Sequence, residues 1–242
     1  MRYLILSDMH ANLPALEAVL ADAAHVGYDA VLVLGDLVGY GADPSAVLAR
    51  TLALEPLGLI RGNHDKVCAG IEPATSFNDV ARASIEWTAG VLSPAELRTL
   101  AELPMGPAQI PGGIEIAHGA PFDEDYYVFD TRDAGRALAA ASARICLVGH
   151  THLPAVFATG EISASAVAED TIQLPATGGI LANVGSVGQP RDGDPRAAYG
   201  ILDLTQLTLA LRRVNYDIAL AQRRIIEAGL PEWLAERLAH GE

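Results

Sequence analysis

The first 65 residues alternate between short apolar runs and segments with helical periodicity, and this order constrains the fold more than any other feature. The apolar runs are YLILSD (3–8), AVLVLGD (30–36) and LGLIRGN (57–63). The segments between them, 12–27 and 44–55, repeat apolar residues at helical spacing. Strands joined by helices in this order form a parallel sheet with right-handed crossovers. The sequence therefore predicts an α/β fold.

The remainder of the sequence adds helices and a second group of strands. Two helices are predicted within 75–103, a hairpin turns at Gly112-Gly113, a helix covers 131–142, and a buried strand follows at 144–150. The later predicted strands are AVFAT (155–159), EISASAV (161–167), ILANVG (180–185), AYGILDL (198–204) and LTLALRRV (207–214), and the closing helices are 217–229 and 232–240. We predict a single domain over 1–242 with a mixed second sheet.

Composition and charge narrow the functional classes. The chain has 242 residues and is 50% hydrophobic, which is enough for the core of one large domain. A net charge of −14 argues against a nucleic-acid partner but is compatible with a small phosphorylated substrate at a positively charged site. Neither a signal-peptide pattern nor an 18-residue apolar run occurs, and Cys68 and Cys146 form no paired motif. We expect a cytoplasmic protein without a membrane partner, and a homo-oligomer is compatible with the sequence.

Metal-ligand side chains follow the ends of five predicted strands. They are Asp8, His10, Asp36, Asn63, His118, His150 and His152. In an open α/β sheet, ligands bind in the crevice beyond the carboxyl ends of the strands. Asp8 and His10, like His150 and His152, are two residues apart, so each pair would point to one side of an extended segment. We therefore expect all seven side chains to converge on one cleft.

This set is too large for one divalent ion, but it suits two ions if Asp36 bridges them. Imidazole mixed with carboxylate favours manganese, iron, zinc or nickel over magnesium or calcium. Each motif alone has a simpler interpretation, for example a turn at Asn63, His64 and Asp65. Five coincidences at five strand ends would be needed to explain the whole set that way. His25 and His240 lie on predicted helix surfaces and receive no role.

Six segments resemble the motif blocks of one known family. They are SDMH (7–10), GDLVGYG (35–41), GNHD (62–65), HG (118–119), GHTH (149–152) and NVGSVGQPRDGDPRAAY (183–199). The first five resemble calcineurin-like metallophosphoesterases, and the sixth resembles the N-x-G-S block of the small bacterial and archaeal phosphodiesterase branch. The resemblance implies a four-layer αββα sandwich, in which two mixed β-sheets are flanked by helices.

The resemblance also implies a role for each matching residue. Asp8, His10 and His152 would hold the first metal, Asn63, His118 and His150 would hold the second, and Asp36 would bridge. His64 would face the substrate, where it contacts a phosphate oxygen or protonates the leaving group. Asp65 would orient the His64 imidazole and raise its basicity.

The implied activity is phosphoester hydrolysis by in-line attack of a hydroxide that bridges two metal ions, with manganese expected first. Phosphodiesters are favoured, while phosphomonoesters and dinucleoside polyphosphates stay open. The alternatives are a non-catalytic, metal-binding scaffold of the same fold and a binuclear hydrolase that acts on an amide. Complete ligand motifs argue against the scaffold, and the arginines near the cleft together with GNHD argue against the amidase.

Three arginines are candidate phosphate ligands: Arg61, Arg191 and Arg196. A guanidinium can bind a phosphoryl group through two parallel hydrogen bonds. A surface salt bridge is the alternative for each of them. The segment PFDEDYYVFD (121–130) follows the His118 motif directly and would form a lid over the cleft, a dimer contact or a cover for a helix.

Overall fold

The computed structural model describes residues 1–159 and 170–242. The strands are β1 (Arg2–Leu6), β2 (Ala30–Val33), β3 (Gly58–Leu59), β4 (Ala108–Ile110), β5 (Ile114–Ile116), β6 (Ile145–Val148), β7 (Ala155–Ala158), β8 (Asp170–Gln173), β9 (Ile180–Asn183), β10 (Ala197–Asp203) and β11 (Thr208–Val214). The helices are α1 (Leu13–Val26), α2 (Pro44–Leu52), α3 (Asn63–Cys68), α4 (Asp79–Val91), α5 (Pro94–Glu102), α6 (Thr131–Ala140), α7 (Ile218–Glu227) and α8 (Glu232–Glu236).

The strands form two mixed sheets. The first sheet has the order β3-β2-β1-β10-β11-β8, in which β1, β2 and β3 are parallel and the remaining pairings are antiparallel. The second sheet has the order β4-β5-β6-β9-β7, with β5, β6 and β9 parallel. The predicted hairpin at Gly112-Gly113 joins β4 to β5. Candidate site residues follow the carboxyl ends of the parallel strands β1, β2, β3, β5 and β6. At the end of β9, the Asn183 amide donates to the Gly149 carbonyl and the Thr151 hydroxyl, on either side of His150.

Alternate residues of β1 show how the layers pack. Tyr3 and Ile5 face the core between the sheets, where Ile114 and Leu147 of the second sheet lie. Leu4 and Leu6 point the other way, into a separate core under α1 and α2. The outer face of the second sheet packs on α6. Helices therefore cover both outer faces, and the predicted four-layer αββα sandwich is confirmed.

Two local predictions differ from the structure. The strand predicted over 57–63 contains only Gly58–Leu59, and Asn63 begins α3 instead of ending a strand. The reason is tertiary, because two carboxylates accept from free N–H groups at the start of the helix. Asp65 accepts from the Gly62 N–H at 2.9 Å, and Asp36 accepts from the His64 N–H at 2.9 Å. The strand predicted over 161–167 lies outside the described residues, and β8 was not predicted.

Candidate metal centre and cleft

The loops after the parallel strands hold the candidate ligands in an unusual backbone conformation. Asp8, His10, Asp36, His150 and His152 all have φ between 45° and 66°, the left-handed region that non-glycine residues seldom adopt. The extended geometry expected for the two i, i+2 pairs is therefore wrong. Each pair does reach the same cleft, but through tight left-handed turns. Strain of this kind persists where the surrounding structure over-determines it, as at functional sites.

The first cluster consists of Asp8, His10, Asp36 and His152, whose ligand atoms all lie within 4.8 Å of one another. His10 Nε2 is 3.0 Å from His152 Nε2 and 3.6 Å from Asp36 Oδ2. His152 Nε2 is 3.4 Å from Asp8 Oδ1. All four side chains are buried, so a pair of carboxylates and a pair of imidazoles meet away from water.

The second cluster consists of Asp36, His118 and His150, whose ligand atoms meet the same 4.8 Å limit, together with Asn63. His118 Nε2 lies 3.4 Å from Asp36 Oδ2 and 3.2 Å from Asn63 Oδ1. Asp36 is thus common to both clusters. This is the position that the sequence assigned to a bridging ligand, and the structure brings all seven candidate ligands together.

Backbone carbonyls fix which nitrogen of each imidazole faces the first cluster. His10 Nδ1 lies 3.0 Å from the Val38 carbonyl and His152 Nδ1 lies 2.5 Å from the Gln189 carbonyl, and since a carbonyl can only accept, each Nδ1 carries the proton. The two Nε2 atoms, 3.0 Å apart, then both present lone pairs, which cannot hydrogen-bond to each other. A cation satisfies both lone pairs and the adjacent carboxylates, so the donor set fits a divalent metal with mixed nitrogen and oxygen ligands.

Burial and neighbouring charges shift the pKa values of the candidate ligands. Burial lowers the pKa of His10 to about 4 and that of His150 to about 3, so both rings are neutral. Burial alone would also lower the pKa of His118, but the Asp36 carboxylate outweighs it and raises the value to about 10. Burial raises the pKa of Asp8 to about 7. A proton held on His118 beside Asp36 supplies positive charge at the position where a bound ion would supply it.

His64 lies against the first cluster but belongs to neither set of ligands. Its ring packs on Tyr40, with centroids 4.4 Å apart, on His10 at 4.7 Å and on Phe77 at 4.9 Å. Burial lowers its pKa well below the usual value, so the ring is neutral. Nδ1 is enclosed beside Gly39, where a Cβ would collide with the imidazole, and it has no hydrogen-bond partner among the described residues. Nε2 is therefore the nitrogen available to the cleft.

The predicted contact between Asp65 and His64 is wrong. One Asp65 oxygen accepts from the N–H groups of Leu37 at 2.9 Å and Val38 at 3.2 Å, and the other accepts from Gly62. These three bonds use the carboxylate to hold the loop after β2 against the start of α3. Asp65 thus positions the segments that carry Asp36 and His64, because a buried carboxylate needs such donors.

The three predicted substrate arginines have different surroundings. Arg61 forms a bidentate pair with Glu124, at 3.2 and 3.0 Å, and Arg196 forms one with Asp194. For these two, the salt-bridge alternative holds. Arg191 instead donates to Gln189 Oε1 at 3.0 Å and lies 3.4 Å from the Tyr40 hydroxyl, and no carboxylate lies within 4.0 Å of it in the described ranges.

An acidic strap, defined as residues 121–130, is fastened to α3 by buried cations. Lys66, whose side chain is only 3% exposed, contacts Glu124 at 3.1 Å, Asp125 at 2.7 Å and Glu72 at 3.2 Å. Arg61 supplies the second contact to Glu124. The single lysine of the sequence therefore joins the strap to the helix that begins with the Asn63 ligand.

The strap also forms one wall of the cleft. The Tyr127 ring stacks on the His150 ring, with centroids 3.8 Å apart, and the Asp125 carbonyl lies 3.2 Å from His150 Nε2. Tyr126 turns the other way, towards α6, where its hydroxyl bonds Asp133 and the Arg136 guanidinium lies over its ring. The strap therefore covers the second cluster with one side and a helix with the other.

A cleft of about 220 Å³ opens beside the two clusters. It is lined by Asn63, His64 and His150 from the candidate centre, with Tyr40, Phe77 and Tyr127 as aromatic walls. The sequence reasoning did not single out Tyr40, although it stands inside the quoted segment GDLVGYG and touches both His10 and His64. The cleft has room for a small ester of phosphate next to the buried ligands.

The chain belongs to the calcineurin-like phosphoesterases. The family model described as the calcineurin-like phosphoesterase superfamily domain matches residues 1–207. An uncharacterized protein of Methanocaldococcus jannaschii is 35% identical over 246 residues, which cover 98% of this chain and 97% of that protein. The predicted family is thereby confirmed.

Solved structures agree with this assignment. A metallophosphoesterase from Sphaerobacter thermophilus is 38% identical, with a TM-score of 0.89 over 100% of this chain and 99% of that one. A hypothetical protein from Pyrococcus horikoshii, 22% identical, shares the fold with a TM-score of 0.81 over 100% and 98% of the two chains. Within the described ranges, no helix combines the length and the apolar character needed to span a bilayer.

Proposed function

We propose that this protein hydrolyses a phosphoester with two divalent cations, one in each cluster and both bound to Asp36. The observation that carries the proposal is the place of Asp36 in both clusters. The facing lone pairs of His10 and His152 support it independently. When bound, the two ions would supply a water deprotonated near neutral pH and positive charge for the phosphoryl oxygens.

His64 supplies a hydrogen bond to the substrate in this proposal. A neutral ring with Nδ1 enclosed can donate from Nε2 to a phosphate oxygen. The strong lowering of the His64 pKa favours this contact over protonation of the leaving group, because an imidazolium is disfavoured there. Tyr40 and Phe77 hold the ring in its orientation by packing on it.

Asp65 and the strap position these groups. Asp65 keeps the loops of Asp36 and His64 together through three backbone hydrogen bonds. Tyr127 and the Asp125 carbonyl limit the orientations of His150. Both effects pre-organise the centre so that less reorganisation is needed when substrate binds.

We further propose a phosphodiester as the substrate class, manganese as the working metal and a cytoplasmic location. The resemblance of residues 183–199 to the small phosphodiesterase branch supports the first proposal, and the mixture of imidazole and carboxylate ligands supports the second. Iron, zinc and nickel fit the same donors. The two free, buried cysteines, Cys68 and Cys146, are compatible with a reducing compartment such as the cytoplasm. Phosphomonoesters and dinucleoside polyphosphates are the competing substrate classes.

The test compares turnover of bis-p-nitrophenyl phosphate and p-nitrophenyl phosphate by protein stripped with a chelator and reloaded with one metal at a time. Faster metal-dependent release from the diester is expected. Faster release from the monoester would make the protein a phosphatase. Two bound ions without turnover of either ester, or of a panel of nucleotide and sugar esters, would contradict catalysis and favour the scaffold.

A further inference from the structure

The cleft carries an aromatic side chain next to each of the two clusters. Phe77 packs on the His64 ring, with centroids 4.9 Å apart, and is only partly buried. Tyr127 stacks on the His150 ring at 3.8 Å and remains 42% exposed. Both residues line the cleft. Aromatic rings that keep an open surface beside a candidate metal centre are suited to bind another planar ring.

The strap extends this aromatic surface beyond Tyr127. The Phe129 ring lies parallel to the Tyr127 ring, with an interplanar angle of 3° and centroids 5.3 Å apart, and Phe129 is 60% exposed. Parallel rings at this separation leave part of each face uncovered. The rings of His150, Tyr127 and Phe129 therefore form a row that begins at the second cluster and ends at the surface. A planar group attached to a phosphate at the clusters would lie along this row.

The charged side chains of the cleft are already paired. Lys66 is the only lysine or arginine among the described residues that line it. Its ammonium contacts three carboxylates at 2.7–3.2 Å, those of Glu72, Glu124 and Asp125. Glu72 and Asp125 also line the cleft, so acidic groups outnumber basic ones there. A second phosphate along the cleft would meet carboxylates and a cation that they already neutralise.

Arg191 lies at the first cluster and is not among the residues that line the cleft. It donates to Gln189 Oε1 at 3.0 Å, and the Gln189 carbonyl lies 2.5 Å from His152 Nδ1. Burial lowers the pKa of His152 well below its usual value, and the positive charge of Arg191 lowers it further. The charge of this arginine therefore acts on the candidate ligands, at the end of the cleft where a phosphate would bind.

We propose that the cleft between Phe77 and Tyr127 binds a neutral, planar aromatic group of the substrate. The proposal rests on the proposed function, in which the phosphate lies at the two clusters. The substrate class is an ester of a single phosphate whose organic group carries an aromatic ring, either an aryl group or a nucleobase. The paired charges of the cleft disfavour substrates with a chain of phosphates, among them the dinucleoside polyphosphates.

The first test measures the binding of phosphonates, whose phosphorus–carbon bond the protein would not hydrolyse. Manganese-loaded protein is titrated calorimetrically with phenylphosphonate and cyclohexylphosphonate, which have similar size but differ in planarity. We expect phenylphosphonate to bind about fivefold more tightly, because stacking between aromatic rings adds to the effect of apolar burial.

A second pair of phosphonates identifies the kind of ring. The methylenephosphonate analogue of adenosine monophosphate is compared with that of ribose phosphate. A larger preference within this pair than within the phenyl and cyclohexyl pair would show that the ring is a nucleobase, whereas a preference for phenyl alone would show an aryl group. Both results support the proposal. Equal dissociation constants within both pairs would overturn it.

A third pair tests the charge of the cleft. The ligands para-carboxyphenylphosphonate and para-carbamoylphenylphosphonate have the same shape and differ by one negative charge. The carboxylate should bind about threefold more weakly, because the acids that line the cleft repel it. Tighter binding of the carboxylate would reveal an unpaired cation in the cleft and would contradict the proposal of a neutral group.

Variants assign the preference to the two rings. Tyr127→Leu and Phe77→Leu should each reduce the phenyl preference to near one, whereas Tyr127→Phe keeps the ring and should keep the preference. Phe122→Leu is the matched control, since this exposed ring of the strap packs on Tyr126. An equal effect of Phe122→Leu and Phe77→Leu would contradict the proposal. Circular dichroism and metal analysis check folding and loading, and Phe77→Leu decides the result if Tyr127→Leu loses metal through His150.

Turnover of bis-p-nitrophenyl phosphate by the unsubstituted protein separates the two proposals. Turnover without a preference for planar rings supports the hydrolase and removes the aromatic subsite. A preference without turnover supports the aromatic subsite and removes the hydrolase.

Discussion

His10 and His152 present their Nε2 atoms to each other at 3.0 Å, although 142 residues separate them in the sequence. Each ring donates its Nδ1 proton to a backbone carbonyl, so neither Nε2 can donate to the other. This arrangement is costly for two neutral imidazoles in a buried site, and it becomes favourable around a cation. The relationship leads to predictions about metal binding, catalysis and stability.

Replacement of Asp36 should affect both candidate metal positions. Asp36→Asn removes a charge common to the two clusters, and we expect fewer than two bound ions and a loss of activity of at least about a hundredfold, since even outer-shell changes cost about 10–100-fold. Metal analysis of the dialysed protein gives the stoichiometry. Asp79→Asn, at an exposed acid whose side chain is 92% accessible, serves as the control. Two retained ions in Asp36→Asn would show that Asp36 does not bridge.

Removal of the His64 ring should separate chemistry from metal binding. His64→Ala leaves every candidate ligand intact, so it should keep the metal content and lower kcat about 10²–10³-fold, as the loss of one preorganised donor does. His64→Gln, which keeps a donor, should recover part of the loss.

The pH profile adds a second readout for His64. Burial lowers the pKa of His64 well below the usual value. The plot of kcat against pH should therefore show no inflection from His64 between pH 6 and 8. The exposed His25→Ala is the matched control. Full activity of His64→Ala would remove this residue from the mechanism.

Metal affinity should rise with pH. Burial raises the pKa of Asp8 to about 7. The Asp36 carboxylate outweighs the effect of burial on His118 and raises its pKa to about 10. Both groups therefore hold protons that a metal must displace. Below pH 7 both protons leave on binding, whereas between pH 7 and 10 only that of His118 does. Affinity should therefore increase about tenfold per pH unit for each proton released, steeply below pH 7 and less steeply above. Titration calorimetry in buffers of different ionisation enthalpy counts the protons, and a flat profile would contradict the assignment.

The same groups make stability depend on pH in metal-free protein. The folded pKa of His118 exceeds its unfolded value, so its contribution is complete below about pH 6.5 and is lost as pH rises towards 10. Asp8 acts in the same direction, because its raised pKa means that ionisation between about pH 4 and 7 disfavours the folded state. Below about pH 6.5, His10 and His150 oppose Asp8, because their lowered pKa values mean that protonation of the unfolded imidazoles disfavours the folded state there. Above pH 7 the loss of the His118 contribution is the change that remains among these groups, so metal-free protein should lose stability as pH rises from 7 to 9. Bound manganese should oppose the loss, and thermal unfolding with and without chelator measures both.

The strap should depend on Lys66. Among the described residues, Lys66→Met leaves the Glu124 carboxylate with one cation instead of two and the half-exposed Asp125 carboxylate with none. It should lower the free energy of unfolding by about 2–3 kcal/mol, less than the loss of a fully buried pair because water reaches Asp125. Arg50→Met breaks an exposed pair with Glu17 and should cost less than about 1 kcal/mol. Urea unfolding compares the two. Equal small losses would show that the strap does not need its lysine.

The sequence by itself determined most of the strands and helices and identified the candidate ligands. Short apolar runs interrupted by helical periodicity are local patterns, and they indicated most of the strands and helices that the structure contains. The seven candidate ligands stand directly after those runs, so the topology of a parallel sheet was enough to place them at one edge. Because both signals lie within a few residues, no contact between distant segments was needed to recognise them.

Only the tertiary structure decided how these residues are supported. The left-handed turns at Asp8 and His150, the short helix at Asn63 and the redirection of Asp65 to three backbone N–H groups depend on neighbours that are distant in the sequence. The partners of Arg61 and Arg191 could not be read from the sequence either, since a charged side chain has many possible partners and three-dimensional proximity selects among them. A local pattern identifies which chemistry the chain can offer, whereas packing between distant segments decides which charges are cancelled and which are left for a ligand.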